Sequence, residues 1–107
     1  MKDLKPICVE LTQGQRFQRI LAGILDTAGM KSGHVTLKPG ESVGEHKTEA
    51  KEEAIIILEG EAEVYCEGKI LFTVGADHLI YIPPGTNHDI KNSGDKPLRY
   101  VYVVAPV

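Results

Sequence analysis

GESVGEHKTEAKEEAIIILEG, residues 40–60, sets a histidine and a dense group of glutamates against three consecutive isoleucines. The apolar end fits a buried strand. The polar end either sits in water or turns some side chains toward something that takes nitrogen and oxygen ligands. Working outward, Gly and Pro punctuate the chain at short intervals. Between them lie short β-branched and aromatic runs: HVTL, AEVYC, KILFTV, HLIYI and LRYVYVV. Many short strands divided by turn signals predict an all-β sandwich or barrel.

The length of 107 residues suits one domain spanning 1–107. Lys and Arg total 12 against 15 Asp and Glu, a net charge of −3. With no basic stripe, nucleic acid is not an expected partner. No stretch approaches the ~20 apolar residues of a membrane span, and the N-terminal residues lack the apolar core of a signal peptide. Cys8 and Cys66 have neither metal nor redox spacing. The expected location is the cytoplasm.

Two turn signals suggest a register. Glu59-Gly60 and Glu67-Gly68 each separate strand-like runs, and glycine supplies the positive φ of a tight hairpin. Two-residue loops would set Ile57 opposite Ala62, Ile55 opposite Val64, Glu53 opposite Cys66 and, in the second hairpin, Val64 opposite Leu71. Alternation then puts Glu53, Ile55, Ile57, Ala62, Val64, Cys66 and Leu71 on one face, read as the interior. The other face, with Ala54, Ile56, Leu58, Tyr65, Ile70 and Phe72, is apolar too, so it should meet another sheet or a partner subunit. A homodimer is the expected assembly. RFQRILAGIL has Phe17, Ile20, Leu21 and Ile24 at helical spacing, but its surroundings favour a strand.

Four histidines occur: His34, His46, His78 and His88. Most histidines are ordinary surface or internally satisfied groups. His46 and Thr48 share a face if extended, about 6.6 Å apart. Glu53 lies an odd number of residues from His46, so the two meet only if the chain bends within TEAKEE. Glu53 would then share the apolar face of Ile55 and Ile57, where a carboxylate is costly unless paired or bound to a metal. His88 follows the rigid Pro83-Pro84-Gly85 turn. Two histidines and a carboxylate suit non-haem iron, and also zinc, nickel or manganese. The bland alternatives are concrete: a strand-end His46, a Glu53 paired with Lys51 or Lys69, and a His88 bonded locally.

The two stretches resemble the paired motifs of the cupin superfamily. The first motif runs Gly, five residues, His, one residue, His, three or four residues, Glu, six residues, Gly. It is matched over 40–60 by Gly40, His46, Thr48, Glu53 and Gly60. The second runs Gly, a short strand, Pro, one residue, Gly, two residues, His, three residues, Asn. It is matched over 75–92 by Gly75, Pro83, Gly85, His88 and Asn92. The chain is thus similar to a small single-domain cupin. The fold implied is a double-stranded β-helix, or jelly-roll β-barrel, with metal-binding residues at its mouth. His46, Glu53 and His88 match three of the family's four usual ligands, and Thr48 stands where the fourth, a histidine, is usual.

The resemblance implies a divalent transition metal (Fe, Mn, Ni or Zn) and a small-molecule substrate or ligand. One reading is a metal-dependent enzyme on a small polar organic substrate, of dioxygenase, isomerase or decarboxylase class. The other is a non-catalytic small-ligand-binding or sensing cupin with a degenerate site, which Thr48 favours. A structural domain with an empty barrel is a third. Glu41, Glu45, Glu52 and Glu59 are expected in water, Cys66 as a buried inert thiol, and His78 as structural. His34 and Glu45 are secondary candidates for the mouth. Tyr100 and Tyr102 share a face and are expected as pocket wall or interface.

Overall fold

Glu67 and Gly68 both have positive φ, 51° and 79°. That pair of left-handed residues is what a two-residue type I′ hairpin needs. It joins β5 (Glu61–Cys66) to β6 (Lys69–Gly75) as expected. Glu59-Gly60 behaves differently. Only Gly60 has positive φ, 88°. A Cβ at Gly60 would run into the Pro97 carbonyl and lie 2.9 Å from the Leu98 Cα. The chain therefore turns a corner here, against the start of the last strand, and leaves its sheet. β4 (Lys51–Glu59) does not pair with β5. The expected register across Glu59-Gly60 is corrected accordingly: Glu53 lies opposite Val104 and Ile82, not Cys66, and Ile55 opposite Tyr102 and Ile80, not Val64.

The computed structural model describes residues 3–107. A five-stranded antiparallel sheet has the order β1 (Phe17–Ala22), β2 (Lys31–Leu37), β9 (Leu98–Pro106), β4, β7 (His78–Ile82). A four-stranded antiparallel sheet has the order β3 (His46–Lys47), β8 (Asn87–Asn92), β5, β6. The two face each other as the double-stranded β-helix expected. The segment with helical spacing is a strand through Ala22 and then a short 3-10 turn, Gly23–Leu25.

The interior is the inward face of both sheets: Leu37, Ile55, Ile57, Ala62, Val64, Ile82, Ile90 and Leu98 are buried. Each such large aliphatic side chain contributes ~1.5–3 kcal/mol by leaving water. The predicted inner face holds except at Leu71, which is 58% exposed. A register shift between Val64 and Tyr65 pairs Val64 with Phe72 and turns Leu71 out of line. Buried Asn92 braces the turn before β9. Its Nδ2 donates to the carbonyls of Leu37 (3.0 Å) and Lys96 (2.8 Å), and its Oδ1 accepts from the Gly94 N–H (2.9 Å).

The outward face of the larger sheet is partly apolar. Ala54 and Ile56 are half-buried, while Leu58, Leu79 and Tyr81 are exposed. His34 also lies on this face, because its neighbour Val35 is in the core. It is buried under Arg99, whose Nε donates to His34 Nε2 at 3.2 Å. Among the described residues no helix is long and apolar enough to cross a membrane.

Candidate metal centre

His46 and His88 are direct cross-strand partners on β3 and β8. Residues opposite one another in an antiparallel pair share a face, so both imidazoles point inward. Their ring centroids are 4.1 Å apart with planes tilted by 57°. Glu53 arrives from the other sheet. The bend needed to bring it round is at residues 48–50, where Glu49 takes φ 57° and β4 begins at Lys51. That reversal cancels the odd offset between His46 and Glu53. One ligand atom from each of the three residues lies within 4.8 Å of the others.

Each histidine has its Nδ1 occupied. His46 Nδ1 donates to the Gly44 carbonyl at 2.9 Å, and His88 Nδ1 to the Thr86 carbonyl at 3.2 Å. The tautomer follows from these acceptors. In its neutral form each ring then offers an unprotonated Nε2, the arrangement in which metal-ligating histidines are held by a second set of groups. His88 Nε2 is 2.9 Å from Glu53 Oε1, yet makes no bond of hydrogen-bonding geometry. Two donors bound side by side to one ion at ~2.0–2.2 Å would be about 3 Å apart. A buried nitrogen and a buried carboxylate oxygen, close but not aimed at each other, fit that spacing. The donor set therefore suits a divalent transition metal.

The electrostatics of His88 reflect the carboxylate beside it. Burial pulls the His88 imidazolium down. The Glu53 carboxylate, the Thr86 carbonyl and the Asp89 charge more than offset that pull and raise its pKa above the ordinary value. Burial, with the Glu53 charge second, raises both Tyr100 and Tyr102. These phenols stay neutral.

Thr48 does not take the fourth ligand's role. Its hydroxyl donates to the Pro83 carbonyl at 2.7 Å and accepts the Thr86 N–H at 2.9 Å. It clips the β7–β8 turn to the β3–β4 bend, and so steadies the same Thr86 whose carbonyl holds His88.

The three residues open onto a cavity of about 370 Å³. Tyr100 and Tyr102 are pocket wall, one of the two roles expected for them, with Val35, Val43, Ile90 and Val104 beside them. Lys31, Lys47, Lys51 and Glu49 also line it. Sequence reasoning missed these four: a bend hides the parity of 47–51, and Lys31 only opens its strand. Of the secondary candidates, His34 faces away from the cavity, and Glu45 is exposed and outside its lining. Cys66 is the cross-strand partner of His88, half-buried and free, its thiol pushed up by burial. His78 is exposed and bonds through Nδ1 to the turn carbonyls of Gly75 and Ala76, both at 3.1 Å. Glu52 accepts from the Tyr81 hydroxyl at 2.7 Å on the outer face.

An antiparallel double-stranded β-helix with two imidazoles and a carboxylate converging inside one end is the architecture of a cupin barrel. The Cupin domain profile matches residues 33–104, and the chain belongs to that family. It is 32% identical to the polyketide synthase CurC of Streptomyces cyaneus, over 98% of this chain and 68% of that protein. It is 35% identical to the oxalate-binding protein of Thermotoga maritima, over 95% of this chain and 88% of that protein. Among solved structures, a predicted oxalate decarboxylase from Thermotoga maritima superposes with a TM-score of 0.78 at 27% identity, covering 85% of this chain and 79% of its own.

Proposed function

We propose that this chain is a single-domain, metal-dependent cupin in which His46, Glu53 and His88 hold a divalent transition metal, one of Fe, Mn, Ni or Zn. In this reading it acts on a small organic substrate in the cavity, by dioxygenase, isomerase or decarboxylase chemistry. The observation that carries the reading is the orphaned His88 Nε2 beside Glu53, with both histidine Nδ1 atoms already committed. The bound ion would supply Lewis acidity toward a carbonyl or carboxylate. The chain's own residues do the rest. Glu53 offsets part of the ion's charge, the Gly44 and Thr86 carbonyls fix the imidazoles, and the apolar walls exclude water. Three protein donors leave coordination positions for the substrate, as a catalytic site requires.

The test is metal analysis of untagged protein together with Zn²⁺ titration. One equivalent is expected in the parent chain and none in His88→Ala. Equal binding by the two would sink the assignment.

Thr48 supports a second reading, a non-catalytic binder or sensor, because the usual fourth ligand is replaced by a hydroxyl engaged elsewhere. Product formation by the metal-loaded chain across an organic-acid panel separates the two readings. We also propose a homodimer that covers Leu58, Leu79 and Tyr81 on the outer sheet face; sedimentation equilibrium giving a monomer mass would reject it. The free thiols of Cys8 and Cys66 fit a reducing cytoplasm.

A further inference from the structure

We infer that the cavity takes a flat, ring-bearing organic anion with adjacent oxygen donors, rather than a bare dicarboxylate such as oxalate. The inference rests on the metal reading for one end of the ligand only; the rest comes from the walls. Size is the first argument. A water's share of the liquid is ~30 Å³, so the six heavy atoms of oxalate fill at most about half of a cavity of about 370 Å³. The remainder would be left to water against an apolar surface.

The surface is the second argument. Away from the ligand triad, the interior wall is Val35, Val43, Ile90, Tyr100, Tyr102 and Val104. Apart from the Tyr100 and Tyr102 hydroxyls, this wall offers the oxygens of a small dianion nothing in exchange for the water they would lose. An unsaturated ring would instead match it. At the mouth, Phe17 lies nearly parallel to Tyr102, with centroids 6.5 Å apart and planes 20° apart. This pair rests on bare backbone. A Cβ at Gly33 would lie 2.7 Å from atoms of both rings, so the glycine makes room for the aromatic wall. Aromatic faces set this way receive another ring by offset or edge contact, which adds to the area buried.

Charge is the third argument. Lys31, Lys47 and Lys51 stand round the opening against Glu49 and Glu53, and a divalent ion would tip the balance further positive. The ligand therefore carries acid. Adjacent oxygens on one edge of the ring would meet the open coordination positions, while its body lies against Tyr100 and Tyr102.

The experiment is calorimetric titration of the full chain, metal-free and Zn²⁺-loaded, with 2-hydroxybenzoate and with oxalate. The ring compound is expected to bind at least about tenfold more tightly than oxalate to both forms, a difference of ~1.4 kcal/mol. Tyr102→Ala should weaken 2-hydroxybenzoate roughly tenfold while leaving Zn²⁺ affinity in place. Phe17→Ala, on an edge strand and 49% exposed, makes the same test without risk to the core. Oxalate binding as tightly as the ring compound, or both variants binding it as the parent does, overturns the inference. Failure of Zn²⁺ to bind, with the ring preference kept in the metal-free chain, rejects the metal reading and supports the ligand class.

Discussion

His34 and His88 are each 1% exposed, and each has one ring nitrogen without a hydrogen-bond partner, Nδ1 in the first and Nε2 in the second. Their surroundings are opposite. His88 looks into the barrel at a carboxylate, and its proton affinity is raised. His34 looks outward, and burial first and the Arg99 charge second lower its pKa, with the Thr12 backbone opposing. Because Arg99 donates to His34 Nε2, the unpartnered nitrogen of His34 is a proton donor. That of His88, in the neutral ring, is a lone pair. Burial and an orphan atom therefore do not mark a ligand by themselves. Convergence of lone pairs from separate strands does, and among the described residues it occurs at His46, Glu53 and His88.

The contrast breaks most visibly in metal binding. Loss of an outer group behind a ligand typically costs 10–100-fold in affinity, so removal of the ligand itself in Glu53→Ala should cost about 100-fold or more. His34→Ala should leave Zn²⁺ affinity at the parent value. Calorimetry on both variants checks this, and equal losses would erase the distinction between the two histidines.

A middling effect is expected at Thr48. Thr48→Val keeps the shape but strips partners from the Thr86 N–H and the Pro83 carbonyl, costing ~1–3 kcal/mol in urea unfolding. Since Thr86 also holds His88, Zn²⁺ affinity should fall by up to about tenfold. An unchanged unfolding midpoint would show the clip to be idle.

The smallest effect concerns His34 and pH. Free in the unfolded chain, it titrates near 6.5, and in the fold it titrates lower. Above pH ~6.5 both states are neutral and the stability is fully present. As pH falls from there toward the folded value, the unfolded chain binds the extra proton and stability drains away. His34→Gln should flatten this limb of the stability profile of the metal-free chain. An identical slope in parent and variant would refute the account.

Much of this was legible in the residues. The resemblance to the cupin motifs, carried by Gly40, His46, Glu53 and Gly60 and by Pro83, Gly85 and His88, pointed to the fold and to the triad. The polar TEAKEE run held the bend that joins Glu53 to the histidines. The hairpin at Glu67-Gly68 was readable because both residues take the left-handed region. The same dipeptide at Glu59-Gly60 misled. Whether it folds back or turns a corner depends on Pro97 and Leu98, far along the chain, packing against it. The lysines of the mouth were hidden for a related reason: strand parity stops at a bend. Outward burial of His34 could not be read from alternation, which places a side chain on a face but not beneath a guanidinium.

The triad draws its two imidazoles from one sheet and its carboxylate from the other. A cation seated there would work as a rivet between two plates. Prising the plates apart would release it, and its capture would pull them shut, so loading and resistance to heat should rise and fall as one quantity.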